Sequence, residues 1–336
     1  MNIDKQKLIE HIKSLKDTRV LVVGDLAIDE MIYGDTERIS REAPVLILQH
    51  TETKVLLGAA SNAAHNASTI NNGKVSVIGV VGDDYQAGQL KQAFEEAHIN
   101  CSYLVEEKGR KTVTKTRISG ACSQSVTQQI VRIDRQTKAP IKPETEDLII
   151  RNLEQAIPEH DAIILSDYHI GVLTKKVIDK TIELANKLGK VIVVDAQKDL
   201  DKYKNVTSMT PNLPDTQKFT GIELSTQEKI IEAGKNIIDK TDAKSVLITC
   251  GADGMISVNN DGSSDIIPVF NRSRVFDVTG AGDTVTALYS MGLSVGAEPL
   301  YAAVIGNIAA SIVIKQFGCA TTTIEELIST LNKIEI

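Results

Sequence analysis

Five short apolar runs constrain this chain more than any other feature: "RVLVVGD" (19–25), "KVSVIGVVG" (74–82), "DAIILSD" (161–167), "KVIVVDA" (190–196) and "SVLITCG" (245–251). Each is dense in Val, Ile and Leu without polar alternation, which is how a strand covered on both faces reads. Helix-length stretches lie between them at 58–72, 84–99, 144–157, 174–188 and 225–240, the first rich in small residues. Strands alternating with helices predict an α/β chain with a doubly wound, mostly parallel sheet flanked by helices. Two further strands are expected near 254–259 and 265–270, and three helices near 281–295, 298–316 and 323–333. Two stretches interrupt the alternation, about 29–57 and 110–135. The first reads as short strands outside the main core. In the second, "TVTKTRISG" (112–120) and "SVTQQIVRID" (125–134) read as a hairpin exposed on one face. One unit over 1–336 is therefore expected, its sheet carrying a small β lid.

Charge and cysteine usage narrow the function classes. A net charge of −7 argues against a broad nucleic-acid surface but leaves room for a local anion pocket. Cys101, Cys122, Cys250 and Cys319 are scattered, with no CxxC spacing and no His at ligand spacing. They read as free thiols in a reducing compartment, not as a zinc site. No apolar run reaches the roughly 18 residues of a membrane span, and the polar N-terminus lacks a signal core. The expectation is a cytoplasmic protein with no membrane or nucleic-acid partner.

The chemistry concentrates in "DVTGAGDT" (277–284), just before an apolar helical run. Gly280, Ala281 and Gly282 let the main chain approach a ligand, and unpaired N–H groups at a helix start form an anion hole. Asp283 in the first turn is expected to have a lowered pKa and stay ionised, able to take a proton from a substrate hydroxyl. Alone, "GAGD" is most simply a helix start with a stabilising acid. Its company changes the balance. Asn212 and Asp215 of "NLPD" could orient phosphate oxygens and, through water, a magnesium ion, although the motif is also good turn and capping chemistry. Thr249, Gly251 and Gly254 of "ITCGADG" end a buried strand in a turn that is either a plain hairpin or an approach to a nucleotide. Asp25 and Asp29 after the first strand, with Asn62, suit polyol hydroxyls at the carboxyl end of a doubly wound sheet. Lys115, Arg117 and Arg132 are by default solvated, or else a clamp for an anionic substituent. There is no GxxxxGK[ST] loop and no GxGxxG fingerprint after the first strand, so a nicotinamide oxidoreductase is disfavoured.

Together these residues resemble the ribokinase/PfkB sugar-kinase family over about residues 19–330. "DVTGAGDT" matches its C-terminal signature, "GAASNAA" (58–64) resembles its N-terminal one, and "SDY" (166–168), "TPN" and "ITCGADG" follow in order. Within the family, "YGDTERISREAPV" (33–45), "TKTRISG", "QQIVRID" and "LSDYHIG" (165–171) are most similar to the kinase half of the bifunctional heptose-phosphate kinase/ADP-heptose synthase. The nucleotidyltransferase half is not expected in this chain. The resemblance implies ATP-dependent phosphorylation of D-glycero-D-manno-heptose 7-phosphate at its anomeric hydroxyl, with Mg2+ and, in some members, a monovalent cation. It implies Asp283 as base and Gly280 to Gly282 as anion hole. Asn212, Asp215, Thr249, Gly251, Gly254 and Asn307 would serve ATP, with Asp215 reaching magnesium through water. Asp25, Asp29, Gly58 and Asn62 would face the sugar, with Lys115, Arg117 and Arg132 near its phosphate. A homodimer through the lid sheets is implied. The alternatives are a kinase for another sugar or sugar phosphate, of the ribose, fructose or fructose phosphate type, or a catalytically weak binding homologue. Three departures stand out: Leu57 where a glycine pair is usual, Asp215 in place of Glu, and Ala196–Gln197 where Asp-Pro-Lys-Gly is usual.

Overall fold

The structure is a computed structural model and describes residues 3–122, 125–270 and 277–334. Its strands are β1 (Val20–Gly24), β2 (Leu26–Ile39), β3 (Leu46–Ala59), β4 (Val75–Ile78), β5 (Val80–Val81), β6 (Val105–Glu106), β7 (Val113–Cys122), β8 (Ser125–Arg135), β9 (Ala162–Asp167), β10 (Val191–Ala196), β11 (Ser208–Met209), β12 (Ser245–Thr249), β13 (Met255–Asn259) and β14 (Ser264–Ile267). Its helices are α1 (Lys5–Ser14), α2 (Ala60–Asn71), α3 (Tyr85–Glu96), α4 (Pro143–Ala156), α5 (Lys175–Lys187), α6 (Leu213–Thr220), α7 (Gln227–Thr241), α8 (Ala281–Ser294), α9 (Pro299–Val313) and α10 (Ile324–Lys333).

Eight strands form the main sheet in the order β14-β13-β12-β11-β10-β9-β1-β4. The pairings from β4 through β12 are parallel, while β13 and β14 close one edge as an antiparallel hairpin. Alternate residues of each strand enter different cores, as a pleat requires. Val20, Val22, Val75, Val77 and Ile164 pack with α1, α2, α3 and α8 to α10 on one face. Leu21, Val23, Ile163, Leu165, Ile192 and Val246 pack with α4, α5 and α7 on the other. This is the doubly wound α/β sheet expected. The chain leaves β1 toward β4 and later returns to β9 on the opposite side. Between β1 and β9 the loops diverge, opening the crevice in which such sheets hold ligands.

The two interrupting stretches form a second sheet in the order β3-β2-β7-β8. The first is not a set of short strands. It is two 14-residue strands, β2 and β3, with register irregularities at Tyr33/Gly34 and Thr36/Arg38 that let so long a ribbon twist. The run 74–82 also divides, because Gly79 passes against Gly24 and Leu26 and sends Val80–Val81 to pair with β6. Residues 123–124 and the side chain of Cys122 lie outside the described residues. Cys101, Cys250 and Cys319 are free thiols. Among the described residues, no helix is long and apolar enough to cross a membrane.

Candidate active site

Helix α8 starts at the carboxyl end of the main sheet, and Gly280 is the residue before it, at φ 78°. A side chain there is doubly barred: the backbone is left-handed, and a Cβ would sit 2.3 Å from the Asn62 amide nitrogen. That contact lets Asn62 Nδ2 donate to both the Gly280 carbonyl (3.2 Å) and Asp283 Oδ2 (2.9 Å). Asn62 Oδ1 accepts from Asn66, whose own oxygen accepts from Thr284, tying α2 to α8. Both donors and the oxygen of Asn62 are thus engaged within the protein. It orients Asp283, where a sugar contact was expected.

Asp283 is 5% exposed. Its other oxygen, Oδ1, accepts a 2.8 Å hydrogen bond from the Tyr168 hydroxyl. Burial pushes its carboxyl up to about 6, against the pull of Asn62, Tyr168 and Lys115. The expectation of a lowered pKa is therefore corrected: desolvation outweighs the helix start. The anion hole also needs correction. The N–H of Ala281 donates to the Val278 carbonyl (3.2 Å), so it is not free. Among the described residues no partner is found for the N–H groups of Gly282 and Asp283, and space is open where a Gly282 side chain would be. The N–H of Gly280 is likewise without a partner among the described residues, so Gly280, Gly282 and Asp283 are the amides available to an anion.

The second sheet brings Asp29, Lys115 and Arg117 over this point. Arg117 Nη1 lies 3.0 Å from Asp29 Oδ2, an ion pair not aligned as a hydrogen bond, and buried Asp29 Oδ1 has no partner among the described residues. Gly58 makes room for this carboxylate, since a Cβ would lie 2.8 Å from Asp29 Cγ. Its neighbour Leu57 points the other way, into the main core, so the departure there leaves the cavity untouched. A cavity of about 260 Å3 lies between the sheet and the 277–279 and 317–319 turns, with Asp29, Arg117, Ser119, Gln129, Thr279 and Cys319 in its lining. Lys115 Nζ sits 4.9 Å above the Tyr168 ring, and its charge also pulls on Asp283. Arg132 stands apart, exposed and paired with Asp134 at 2.9 Å.

Asp25 is corrected as well. It is 1% exposed, and its carboxylate accepts the main-chain N–H groups of Tyr168 (2.9 Å), Ile170 (3.0 Å) and Val172 (3.4 Å). It holds the loop after β9 and is closed off from the cavity, although burial still raises its carboxyl to about 6.

On the nucleotide side, Asn212 caps α6 by accepting the Asp215 N–H at 2.8 Å, the capping alternative its spacing allowed. Thr249 bridges back to Asn212, and Gly251–Asp253 form the turn of the β12–β13 hairpin. Gly254 packs against Ile267 and Pro268, and Asn307 Nδ2 donates to the Pro268 carbonyl (2.8 Å), so these two converge on one corner. Two functional candidates escaped the sequence reading. Tyr168 carries no residue-type signal for its contact with Asp283. Asp195, at the end of β10, is pushed up to about 8 by burial and by Asp283, Asp215 and Asp167.

Asp195 supports a pH prediction. Its folded pKa lies above its unfolded one, so the fold keeps a proton the unfolded chain loses, and stability falls as pH rises from about 4 to about 8. Asp195→Asn is expected to raise the melting temperature over the parent slightly at pH 5 and markedly at pH 8. A difference independent of pH in thermal melts would contradict this.

A shielded carboxylate at a helix start, with a cavity beside it beneath a second sheet, fits a phosphotransferase of ribokinase-like fold. The pfkB family carbohydrate kinase description matches residues 17–326, and the chain belongs to that family. It is 37% identical over 310 residues to the bifunctional protein HldE of Desulfatibacillum aliphaticivorans, covering 92% of this chain and 62% of that protein. The chain thus spans about three fifths of that relative's length. Among solved structures, phosphofructokinase-2 from Escherichia coli in complex with substrates and products superposes with a TM-score of 0.76 at 15% identity, covering 94% of this chain and 99% of that one. Arabidopsis thaliana ribokinase complexed with ribose and ATP gives 0.70 at 16% identity, covering 94% and 98%. The protein is a sugar kinase built on this fold.

Proposed function

We propose that this chain transfers the γ-phosphoryl group of ATP to the anomeric hydroxyl of D-glycero-D-manno-heptose 7-phosphate, in the cytoplasm. The observation that carries the reading is the Asp283 carboxylate, clamped on both oxygens beside unpaired helix-start amides and within electrostatic reach of Asp29, which lines the cavity with Arg117. Asp283 takes the hydroxyl proton, while the Gly280, Gly282 and Asp283 N–H groups receive the charge of the moving phosphoryl group. The second sheet acts as a lid, excluding water from the acceptor.

Magnesium fits the oxygen-only donors of this corner. Burial, then the charges of Asp283 and Asp215, raise the Asp195 carboxyl, so these acids share one neighbourhood. Among the described residues no three acidic, His or Cys side chains gather as a full ligand set. An ion that keeps its waters and uses substrate phosphates would be held by Asp215 through water. Such an ion supplies neutralisation of phosphate charge. The nucleotide would lie along Thr249, Gly251, Gly254 and Asn307.

One observation favours a second acceptor. Arg117 already faces Asp29, so an unphosphorylated sugar could use Asp29 alone. The apolar outer face of the second sheet, with Val131 and Ile133 each 44% exposed, supports a homodimer through the lids.

An ADP-release panel of phosphorylated and free heptoses, hexoses and pentoses tests the reading. Heptose 7-phosphate is expected to show the highest kcat/KM. A free sugar matching it removes the phosphate clamp, and turnover of no acceptor removes the catalytic reading of this site.

A further inference from the structure

Building on the reading of Asp283 as proton acceptor, we propose that Tyr168 is a positioning residue for that carboxylate, fixed by Asp25 beneath its main chain and Lys115 above its ring. The loop 168–172 leaves β9 at the crevice beside β1. Its N–H edge is gathered on the Asp25 carboxylate through Tyr168, Ile170 and Val172. Its carbonyl edge is held by buried Arg110, which donates to Ile170 and also to Thr137 and Ala139. Opposite charges therefore grip the loop from two sides, a well-satisfied buried network that leaves one arrangement.

From that fixed loop the Tyr168 hydroxyl reaches Asp283 Oδ1 at 2.8 Å, while Asn62 takes Oδ2 from α2. A carboxylate held on each oxygen by a different element keeps one rotamer. Burial and the nearby Asp283 and Asp195 carboxylates push the phenol well above its usual range, so Tyr168 stays a donor and does not compete for the substrate proton. The ionisable groups facing Asp283 are Tyr168, Lys115 from β7, Asp29 from β2, Asp195 from β10 and Cys319. Of these, Tyr168 alone makes a hydrogen bond to it among the described residues.

The test uses the full chain. The 13C-carboxyl resonance of Asp283, assigned by its loss in Asp283→Asn, is titrated in the parent, Tyr168→Phe and Lys115→Met proteins. Kinetics are run with ATP and the fastest acceptor of the panel. Tyr168→Phe is expected to raise the Asp283 midpoint by about one pH unit, because a bond to the charged form is lost. It should also lower kcat roughly tenfold, with KM for ATP within about twofold. Lys115→Met, which keeps the hydroxyl, should raise the midpoint by less. A Tyr168→Phe protein that melts cooperatively with midpoint and kcat unchanged overturns the proposal. Should that variant not fold, replacing the tyrosines biosynthetically by 3-fluorotyrosine, a more acidic phenol and stronger donor, should lower the Asp283 midpoint, and an unchanged midpoint overturns the proposal. Turnover surviving in Asp283→Asn would instead overturn the base reading, so the two failures are told apart.

Discussion

Asp283→Asn is expected to lower kcat by about 10^2 to 10^4, the range a positioned general base contributes, while ATP still stabilises the protein in a thermal-shift assay. The substitution keeps volume and removes the atom that accepts the proton. The helix-start amides belong to the main chain and survive, so the phosphoryl group keeps its hole. One complication is legible in the structure. Asn62 and Tyr168 both donate to Asp283, and an Asn at 283 would point its own donor at one of them. A modest loss of stability can therefore accompany the loss of turnover, and the melt should be recorded beside the rate. In the parent, kcat/KM should fall with a single proton below about pH 6, since burial holds the carboxyl of the free enzyme near that value. A variant within tenfold of the parent would remove Asp283 from the chemistry.

Arg117→Ala should act on both stability and substrate. The Arg117 and Asp29 side chains are 16% and 5% exposed, so removing the cation strands a buried carboxylate whose second oxygen is already unpartnered. Breaking a buried pair from one side costs about 3–5 kcal/mol, and the partial exposure of Arg117 places the expectation at the lower end or below. That should appear as a drop of several degrees in the melting midpoint. The same variant should raise KM for heptose 7-phosphate by tenfold or more with KM for ATP nearly unchanged, a loss of about 1.4 kcal/mol or more in ground-state binding. Adding Asp29→Asn removes the stranded charge. The double variant should recover much of the melting midpoint and none of the substrate affinity. Equal, small effects on both KM values would dismiss the clamp.

Particular residues show why part of the site was legible. The glycines at 280 and 282 and the acid at 283 are recognisable because a bare helix start beside an acid has few uses. Gly58 was readable as a small residue, but its reason, room for the Asp29 carboxylate across a strand pair, is a distance between chain segments. Asp25 and Asn62 were expected to face the sugar as polar residues at strand and helix ends. Instead they hold the Tyr168 loop and Asp283, because hydrogen-bond partners are set by what packs beside them. Tyr168 was quoted within "SDY" but given no role, since a tyrosine after a strand is commonplace until its hydroxyl is seen on an acid 115 residues away. Sequence reasoning also placed the Asp283 pKa on the wrong side of its ordinary value. A helix terminus can be read from spacing, but burial cannot.

By itself the sequence determined the alternation of buried strands and helices, the parallel sheet that follows, and the helix-start signature, because periodicity and backbone freedom are local properties of a chain. Only the tertiary structure decided which carboxylates face the cavity and which brace a loop, how many amides remain unpaired at the helix start, and which tyrosine reaches the acid. Those outcomes depend on desolvation and on contacts between segments far apart in the chain, and no local pattern encodes either.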